Sequence, residues 1–389
     1  MSMKISNQSN NKENTMIPYG HQSLDNDDIE AVVNVLKSDW ITQGPIVKEF
    51  EMKIADYCGA KYAVAVNSGT AALHCAYYSA GIGPGDEVIM PAQTFLATAN
   101  AVKYLGAKPV FCDIDLKTYN IDVTKIESLI TKKTRAIVPV HIGGEPCNMD
   151  EILMIAKKHD LLVIEDASHA LGSKYKERKI GSISDMTVFS FHPVKSITTG
   201  EGGVVCTDNE KFYKLMCAFR SHGVVNGDQI ENVKEGPWYF EMQQLGFNYR
   251  ITDFQCALGK SQLRKLIDFV QKRRNIAEYY NDALKNINDL ILPYFDEKNI
   301  SSLHLYIIRI DKSIRKEVFT KLREAGIGVQ VHYIPVYHHP YYRKNGFANF
   351  SLPNTEEYYE TCISLPIYPG LKREEQNFVI DKLKEFISV

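Results

Sequence analysis

Short apolar runs alternate with amphipathic stretches along the first two-thirds of the chain. The apolar runs cover 62–66, 87–90, 109–112, 136–140, 161–164, 186–191 and 204–207. Runs of this length are typical of buried strands, and the stretches between them repeat their apolar residues at helical spacing. Because strands that alternate with helices form a mostly parallel sheet covered on both faces, the pattern predicts an α/β large domain.

The last third of the chain has a different pattern, which predicts a smaller α+β domain. We expect strands at 303–310 and 329–334 and helices at 316–325, 356–363 and 373–386. Thr252 and Gln255 form a capping box, so a long linking helix is expected over about 253–287. The predicted division is a disordered tail at 1–15, a large domain at 16–265 and a small C-terminal domain at 266–389.

Composition restricts the partners and the compartment. The 389 residues are 44% hydrophobic and 24% charged with a net charge of −2, which predicts no general attraction to nucleic acid or to an anionic membrane. No apolar run approaches the roughly 20 residues that cross a bilayer, and the polar N-terminus has no secretory h-region. The eight scattered cysteines, such as Cys112 and Cys206, are typical of reduced core residues. We therefore expect a cytoplasmic protein.

A lysine stands between two predicted buried strands. Ser190 lies near the end of the first strand, predicted at 186–191. Lys195 follows in a loop rich in Ser, Thr and Gly, and the second strand begins at Val204. A lysine in such a place is costly unless it is paired, uncharged or covalently used. We interpret Lys195 as the lysine that holds pyridoxal phosphate as a Schiff base, with Ser190 facing the phosphate. A surface lysine on a glycine-rich hairpin is the other interpretation of this stretch.

A second stretch is suited to a phosphate group. The strand at 62–66 runs into Ser68, Gly69 and Thr70 and then into an alanine-rich helix. The start of a helix presents free N–H groups and a favourable dipole, Gly69 allows close approach, and the two hydroxyls add donors. An ordinary helix N-cap would account for the same residues. Neither a P-loop nor a dinucleotide fingerprint is found, which disfavours ATP and dinucleotide sites.

Four chemically distinctive side chains lie just past predicted strand ends: Phe95, His141, Asp166 and Lys195. Ligands of such sheets bind beyond the carboxyl ends of the strands, so these residues can converge on one crevice. Asp166 closes a strongly apolar run, and a protonated pyridine nitrogen would be a suitable cationic partner, although a helix cap or salt bridge would also satisfy it. His169, in the same turn, could contact the phenolate oxygen of the cofactor, and Glu165 is interpreted as structural.

The histidine- and tyrosine-rich stretch at 332–342 raises the question of a metal. His338 and His339 are adjacent, and no carboxylate or third histidine lies at ligand spacing. We therefore predict no metal site and interpret the stretch as a polar wall of a substrate pocket.

Several linked motifs carry a resemblance to a known family. They are Asn67-Ser68-Gly69-Thr70-Ala71-Ala72-Leu73, Thr94-Phe95-x-Ala97-Thr98, Glu165-Asp166-Ala167-Ser168-His169-Ala170, Ser190-Phe191-His192-Pro193-x-Lys195 and Gly200-Glu201-Gly202-Gly203. With these motifs, the chain over 17–389 resembles the DegT-type nucleotide-sugar aminotransferases. The resemblance implies an aspartate-aminotransferase-like α/β fold (PLP fold type I), pyridoxal 5′-phosphate as cofactor, and transamination between L-glutamate and a nucleotide-linked keto-sugar.

The resemblance also implies roles for individual residues. Lys195 would form the Schiff base, Asp166 would pair with the pyridine nitrogen, His169 would contact the ring oxygen and Phe95 would stack on the ring. The phosphate would be bound by Ser68, Gly69, Thr70 and Ser190. Asn248 would reach the phosphate of the neighbouring subunit, which implies a homodimer with shared active sites. Substrate contacts are expected from Trp238, Tyr239, Arg250 and His332.

Within the family, the segments around 166–172, 236–239 and 243–250 are most similar to members that act in pseudaminic acid biosynthesis. This implies amination at C4 of UDP-4-keto-6-deoxy-L-AltNAc. Three alternatives stay open: amination of another keto-sugar nucleotide (GDP- or dTDP-linked, at C3 or C4), a PLP-dependent sugar dehydratase or deoxygenase, and a non-catalytic PLP- or sugar-binding regulator. In the dehydratases a histidine replaces the lysine, so Lys195 argues against that activity.

Overall fold

A seven-stranded sheet forms the centre of the large domain. The computed structural model describes residues 16–225, 236 and 238–387, so the predicted tail at 1–15 lies outside the described residues. In chain order, the strands are β1 (Tyr62–Val66), β2 (Glu87–Pro91), β3 (Lys108–Cys112), β4 (Thr134–Ile137), β5 (Leu162–Asp166), β6 (Lys174–Tyr175), β7 (Arg178–Lys179), β8 (Met186–Ser190), β9 (Gly203–Thr207), β10 (Val224–Val225), β11 (Glu241–Met242), β12 (Tyr306–Arg309) and β13 (Cys362–Leu365).

The strand order of the central sheet is β1-β9-β8-β5-β4-β2-β3. The neighbours β8, β5, β4, β2 and β3 are parallel, whereas β9 is antiparallel to both β8 and β1. The predicted α/β architecture with a mostly parallel sheet is therefore confirmed. Because the parallel strands point the same way, their carboxyl ends lie along one edge, and Asp166 and Ser190 are the last residues of neighbouring strands.

The helices of the described chain either cover the two faces of this sheet or pack in the C-terminal part. They are α1 (Asn26–Leu36), α2 (Pro45–Cys58), α3 (Gly69–Ser79), α4 (Leu96–Tyr104), α5 (Val123–Ile126), α6 (Met149–His159), α7 (Glu210–Phe219), α8 (Asp253–Leu263), α9 (Leu266–Leu284), α10 (Lys312–Glu324), α11 (Pro340–Tyr342), α12 (Pro353–Thr361) and α13 (Arg373–Ile387). Neighbouring strand residues enter separate cores: Phe189 and Val204 pack in one cluster, Val188 and Val205 in the other. None of the described helices combines the length and the apolar character that crossing a membrane requires.

The predicted linking helix over 253–287 is two helices, α8 and α9, so that prediction is wrong in detail. The capping box of Thr252 and Gln255 is present at the start of α8. At the break, the N–H of Lys265 donates to the carbonyl of Gln262, three residues earlier, at 2.9 Å. The ammonium of Lys265 is also paired with Asp25 and Asp28 of the first helix region. The break between α8 and α9 is therefore at a residue that pairs with distant carboxylates, and the local sequence pattern does not reveal it.

The C-terminal part contains an antiparallel pair of strands, β12 and β13, which pack with α10 and α13 around a separate core. The predicted strand at 329–334 is wrong, and the predicted helix over 356–363 ends at Thr361, where the chain turns into β13. Around 327–330 the chain forms only single bridges, Ile327 with Ile17 and Gln330 with Ser364, so no strand ladder develops. The division into domains at 265/266 stays a prediction.

The approach of β9 to the start of α3 generates a stability prediction. A Cβ on Gly203 would lie 2.5 Å from the carbonyl oxygen of Ser68 and 2.9 Å from Cα of Gly69. We expect Gly203→Ala to lower the free energy of unfolding by about 1–3 kcal/mol, because the backbone of the neighbouring turn has to move. The matched control is Gly83→Ala, whose Cβ meets nothing within 4 Å and which should change stability by less than about 0.5 kcal/mol. Chemical denaturation measures both, and equal stabilities would contradict the prediction.

Candidate active site

A cavity of about 380 Å³ opens beyond the carboxyl ends of β5 and β8. Nine of the predicted site residues line it: Ser68, Gly69, Thr70, Phe95, Asp166, His169, Ser190, Lys195 and His332. They come from five separate segments of the chain, so the fold brings together residues that the sequence places far apart. This cavity is the candidate active site.

One end of the cavity is built by the first turn of α3. Ser68 is its N-cap, and the Ser68 hydroxyl oxygen accepts a hydrogen bond from the N–H of Ala71 at 3.1 Å. The leading N–H groups of a helix have no partner within the helix and attract an anion. A Cβ on Gly69 would lie 2.9 Å from Cβ of Ser190, so glycine at this position lets the Ser190 side chain lie against the turn. Free N–H groups and hydroxyls in this arrangement fit a phosphate group.

Asp166 is buried at the end of β5, and its carboxylate is held from two sides. Oδ2 accepts a hydrogen bond from the hydroxyl of Thr98 at 2.7 Å, and Oδ1 accepts one from the N–H of Ser168 at 3.1 Å. The hydroxyl of Thr98 in turn lies 2.7 Å from the hydroxyl of Thr94, four residues earlier and just outside α4. A buried carboxylate that lines a cavity suits a cationic partner such as a protonated pyridine nitrogen. Thr98 has no role in the sequence predictions, although it lies in a quoted motif.

Lys195 is half-buried and reaches the same cavity. Burial lowers the pKa of its amine to about 8, although the charge of Asp166 favours the ammonium form and opposes this shift. With this pKa, roughly a tenth of the amine is neutral at pH 7 and about half at pH 8. The neutral amine is the form that bonds to an aldehyde or accepts a proton.

Neutral imidazoles surround this amine. Nδ1 of His169 accepts a hydrogen bond from the N–H of Gly143 at 3.3 Å, and Nε2 lies 3.0 Å from the hydroxyl of Tyr333. Burial and the charge of Lys195 hold the pKa of His169 well below its usual value and lower that of His332 to about 3. With Nδ1 of His169 used as an acceptor, the proton of the neutral ring belongs on Nε2. The Nε2–H of His169 therefore donates to the hydroxyl of Tyr333, which also lines the cavity.

Eleven other described residues line the cavity without having been predicted individually as site residues, and two of them lie beside His169. The ring of His304 lies 4.3 Å from that of His169, and Tyr333 accepts from the same histidine. Tyr333 belongs to the histidine- and tyrosine-rich stretch that the sequence indicates as a pocket wall, so a signal was present. For His304 the only signal is its place near the start of the strand predicted at 303–310.

His141 does not line the cavity, so its predicted convergence with Asp166 and Lys195 is wrong. Its ring is fully buried, and Nε2 lies 2.8 Å from the carboxylate of Glu165, which also accepts from the hydroxyls of Ser184 and Thr187 at 2.7 and 2.8 Å. Burial raises the pKa of Glu165, but these hydrogen bonds bring it below its usual value. The network lies beneath the sheet edge and holds the residue that precedes Asp166.

The remaining predicted residues do not line the cavity of this chain. Asn248 forms a bridge with Ser221, and Arg250 lines a separate cavity that also includes Glu51. Trp238 is 75% exposed, and the hydroxyl of Tyr239 donates to Glu241 at 3.1 Å. Pro237 and residues 226–235 lie outside the described residues. The roles expected of these four residues stay predictions.

Comparisons with known proteins find one family over nearly the whole chain. The model of the DegT/DnrJ/EryC1/StrS aminotransferase family matches residues 22–384. The spore coat polysaccharide biosynthesis protein SpsC of Bacillus subtilis is 42% identical, over 97% of this chain and 98% of its own length. The UDP-4-amino-4,6-dideoxy-N-acetyl-beta-L-altrosamine transaminase of Campylobacter jejuni is 40% identical, over 95% and 96%.

Solved structures show the same fold. Helicobacter pylori PseC, an aminotransferase involved in the biosynthesis of pseudoaminic acid, has a TM-score of 0.90 with 34% identity and covers 96% of this chain and 100% of its own. A putative sugar aminotransferase of Streptococcus pneumoniae, Spr1654, in its PLP form also has a TM-score of 0.90, with 32% identity over 96% and 99%. Its PMP form has a TM-score of 0.91.

These matches extend over nearly the whole chain, and the family resemblance found in the sequence motifs is confirmed. The chain belongs to the DegT/DnrJ/EryC1/StrS aminotransferase family.

Proposed function

We propose that this aminotransferase moves the amino group of L-glutamate to C4 of UDP-4-keto-6-deoxy-L-AltNAc. The observation that carries the proposal is a single cavity in which Lys195, Asp166 and the first turn of α3 converge. The class of substrate, a nucleotide-linked keto-sugar, is supported by the names of the C. jejuni and H. pylori relatives. The choice of this particular sugar and of glutamate as donor is our proposal.

Pyridoxal 5′-phosphate is the cofactor, and the residues of the cavity fit it. Ser68, Gly69, Thr70 and Ser190 would hold the phosphate at the start of α3, where a side chain at Gly69 would collide with Ser190. Phe95, at the mouth of the cavity, would cover the ring. When bound, the cofactor supplies an aldehyde that bonds to amines and a cationic ring that withdraws electrons.

Two residues of the chain carry the chemistry. Nζ of Lys195 would take the proton from Cα of the amino donor in the first half of the reaction, and its lowered pKa keeps part of the amine in the basic form. Asp166 would keep a proton on the pyridine nitrogen, because its buried carboxylate stabilises a cation beside it. The Nε2–H of His169 would donate to the ring oxygen in place of the hydroxyl of Tyr333, which lies 3.0 Å from Nε2.

The two halves of the reaction would use the same groups in opposite directions. Glutamate enters, gives up its amino group and leaves as 2-oxoglutarate, and the keto-sugar nucleotide then receives that group at its carbonyl carbon. In the second half, Lys195 would return a proton to the sugar carbon. His332, whose Nδ1 is bonded to the hydroxyl of Ser364 at 2.8 Å, is our candidate for a substrate contact inside the cavity.

We further propose that the active unit is a cytoplasmic homodimer. Asn248 lies outside the cavity of its own chain, which is compatible with the role expected for it, a contact with the phosphate of the neighbouring subunit. Trp238, Tyr239 and Arg250 also lie outside this cavity, and we propose that they contact substrate in the dimer.

A panel of keto-sugar nucleotides tests the substrate directly. We expect amination of UDP-4-keto-6-deoxy-L-AltNAc at C4, detected by NMR of the product, with weaker turnover of GDP- and dTDP-linked 4-keto sugars. The alternative, amination of a different nucleotide-linked keto-sugar, is supported by the relative SpsC, whose name refers to a spore coat polysaccharide. Amination only of another nucleotide sugar, or at C3, would establish that alternative, and no turnover of any keto-sugar would refute the proposed function.

The lowered pKa of Lys195 generates a test on the apoenzyme. Acetylation of the free amine, followed across a pH series by mass spectrometry, should show a midpoint near pH 8 for Lys195, well below the usual value of about 10.4. In Asp166→Asn the midpoint should fall further, because the carboxylate that favours the ammonium form is gone. Lys195→Ala identifies the peptide. A midpoint at the usual value, or a rise in Asp166→Asn, would contradict this account of the site.

A further inference from the structure

A buried arginine lies beneath the candidate active site. Arg273, on α9, is 1% exposed. Its guanidinium donates hydrogen bonds to four backbone carbonyls: Ile367 at 2.8 Å, and Leu303, His304 and Val194 at 3.4 Å each. Val194 precedes Lys195 in the chain, and His304 lines the cavity. One side chain therefore connects the lysine loop with two segments of the C-terminal part.

This arrangement is costly as a source of stability alone. Within the described part of the chain, no carboxylate forms an ion pair with Arg273, and its Nε is buried without a hydrogen-bond partner. Burial lowers the pKa of the guanidinium to about 10, which leaves it charged at neutral pH. Burying a cation without a counter-ion is unfavourable, because the charge loses its hydration. The guanidinium group of an arginine is planar and rigid, so its N–H donors can bind several acceptors at the same time.

The backbone next to this arginine is strained. Leu303 has a φ of +51°, a left-handed conformation that is rare for a branched side chain. Its carbonyl accepts from Arg273, and the following residue is His304, whose ring packs on His169. The guanidinium of Arg273 therefore hydrogen-bonds to the strained backbone that places the side chain of His304 in the cavity.

The helix that carries Arg273 also contacts the segment after Asp166. A Cβ on Gly172 would lie 2.8 Å from Cγ2 of Val270 and 3.4 Å from Cδ1 of Leu266, and Gly172 has a φ of +98°. Helix α9 is thus packed closely on the turn that contains His169. Arg273 of this helix contacts the loop that contains Lys195, and Val270 contacts the turn that follows Asp166.

We propose that Arg273 is a positioning residue that holds the Lys195 loop and the His304 segment in fixed relation to each other. The inference rests on the proposed function, in which Lys195 is the reacting lysine. A displaced lysine amine would react more slowly, because a misplacement of about 1 Å costs up to 100-fold in rate.

Two variants and one control test the proposal. Arg273→Met removes the hydrogen-bond donors and the charge. Arg273→Lys keeps the positive charge but lacks the planar guanidinium group. The control, Arg274→Met, changes the next residue of the same helix. In the apoenzyme, hydrogen exchange should become faster in peptides covering 190–204 for Arg273→Met and stay at the wild-type rate for Arg274→Met. This measurement needs neither cofactor nor turnover.

In the holoenzyme, the half-reaction with L-glutamate is followed through the visible band of the bound cofactor. For Arg273→Met we expect the single-turnover rate constant to fall roughly 10- to 100-fold, with a change of less than about threefold in the apparent Kd for glutamate. Arg273→Lys should lie between Arg273→Met and the wild type. If Arg273→Met does not fold, Arg273→Lys decides alone, with an expected fall of at least about threefold.

The proposal is overturned if the variants lose thermal stability but keep the wild-type rate constant and exchange rates, because Arg273 would then be structural only. An equal effect of Arg274→Met would overturn it as well. A wild-type enzyme whose visible band does not respond to glutamate would instead refute the proposed function, so the two failures are distinguishable.

Discussion

A lysine amine that shares a cavity with a buried carboxylate is the interaction on which the rest of the site depends. Burial drives the amine of Lys195 toward its neutral form, while Asp166 draws it back toward the charged form, and the balance places its pKa near 8. Deeper burial alone would leave a base too weak to hold a proton, and a closer carboxylate would leave an ammonium ion that cannot react. The cavity keeps the amine between these limits.

The sheet provides the geometry that this balance requires. Asp166 and Ser190 end two neighbouring parallel strands, and β9 returns antiparallel so closely that Gly203 touches the backbone of Ser68 and Gly69. The lysine loop, the carboxylate and the anion-binding turn are therefore parts of one rigid edge. The neutral histidines add hydrogen-bond donors to this edge without adding charge, so Lys195 stays the main cation facing Asp166 among the described residues that line the cavity.

Local pattern and the family motifs together were enough to predict most of the large domain and nine residues of the cavity. The strands, the turn at Ser68, Gly69 and Thr70, and the loop that contains Lys195 can each be recognised from a few neighbouring residues. Examples are a short apolar run for a strand and glycine beside serine for the turn. The errors arise where distant segments decide the structure. The predicted linking helix is interrupted at Lys265, which forms an ion pair with Asp28. The predicted strand at 329–334 is absent, because Gln330 forms only a single bridge with Ser364. The side chain of His141 lies outside the cavity, where it contacts Glu165. His304 enters the site through a tertiary contact that no local spacing records.

The most direct measurement is borohydride reduction of the holoenzyme followed by peptide mapping. Reduction makes a lysine–pyridoxal bond permanent, so mass spectrometry can locate it. The account predicts one phosphopyridoxyl group per chain, on the peptide that contains Lys195, and none when L-glutamate has first bleached the visible band. An adduct on a different lysine, or no adduct in protein that binds the cofactor, would contradict the central claim that the buried amine of Lys195 is the group that reacts.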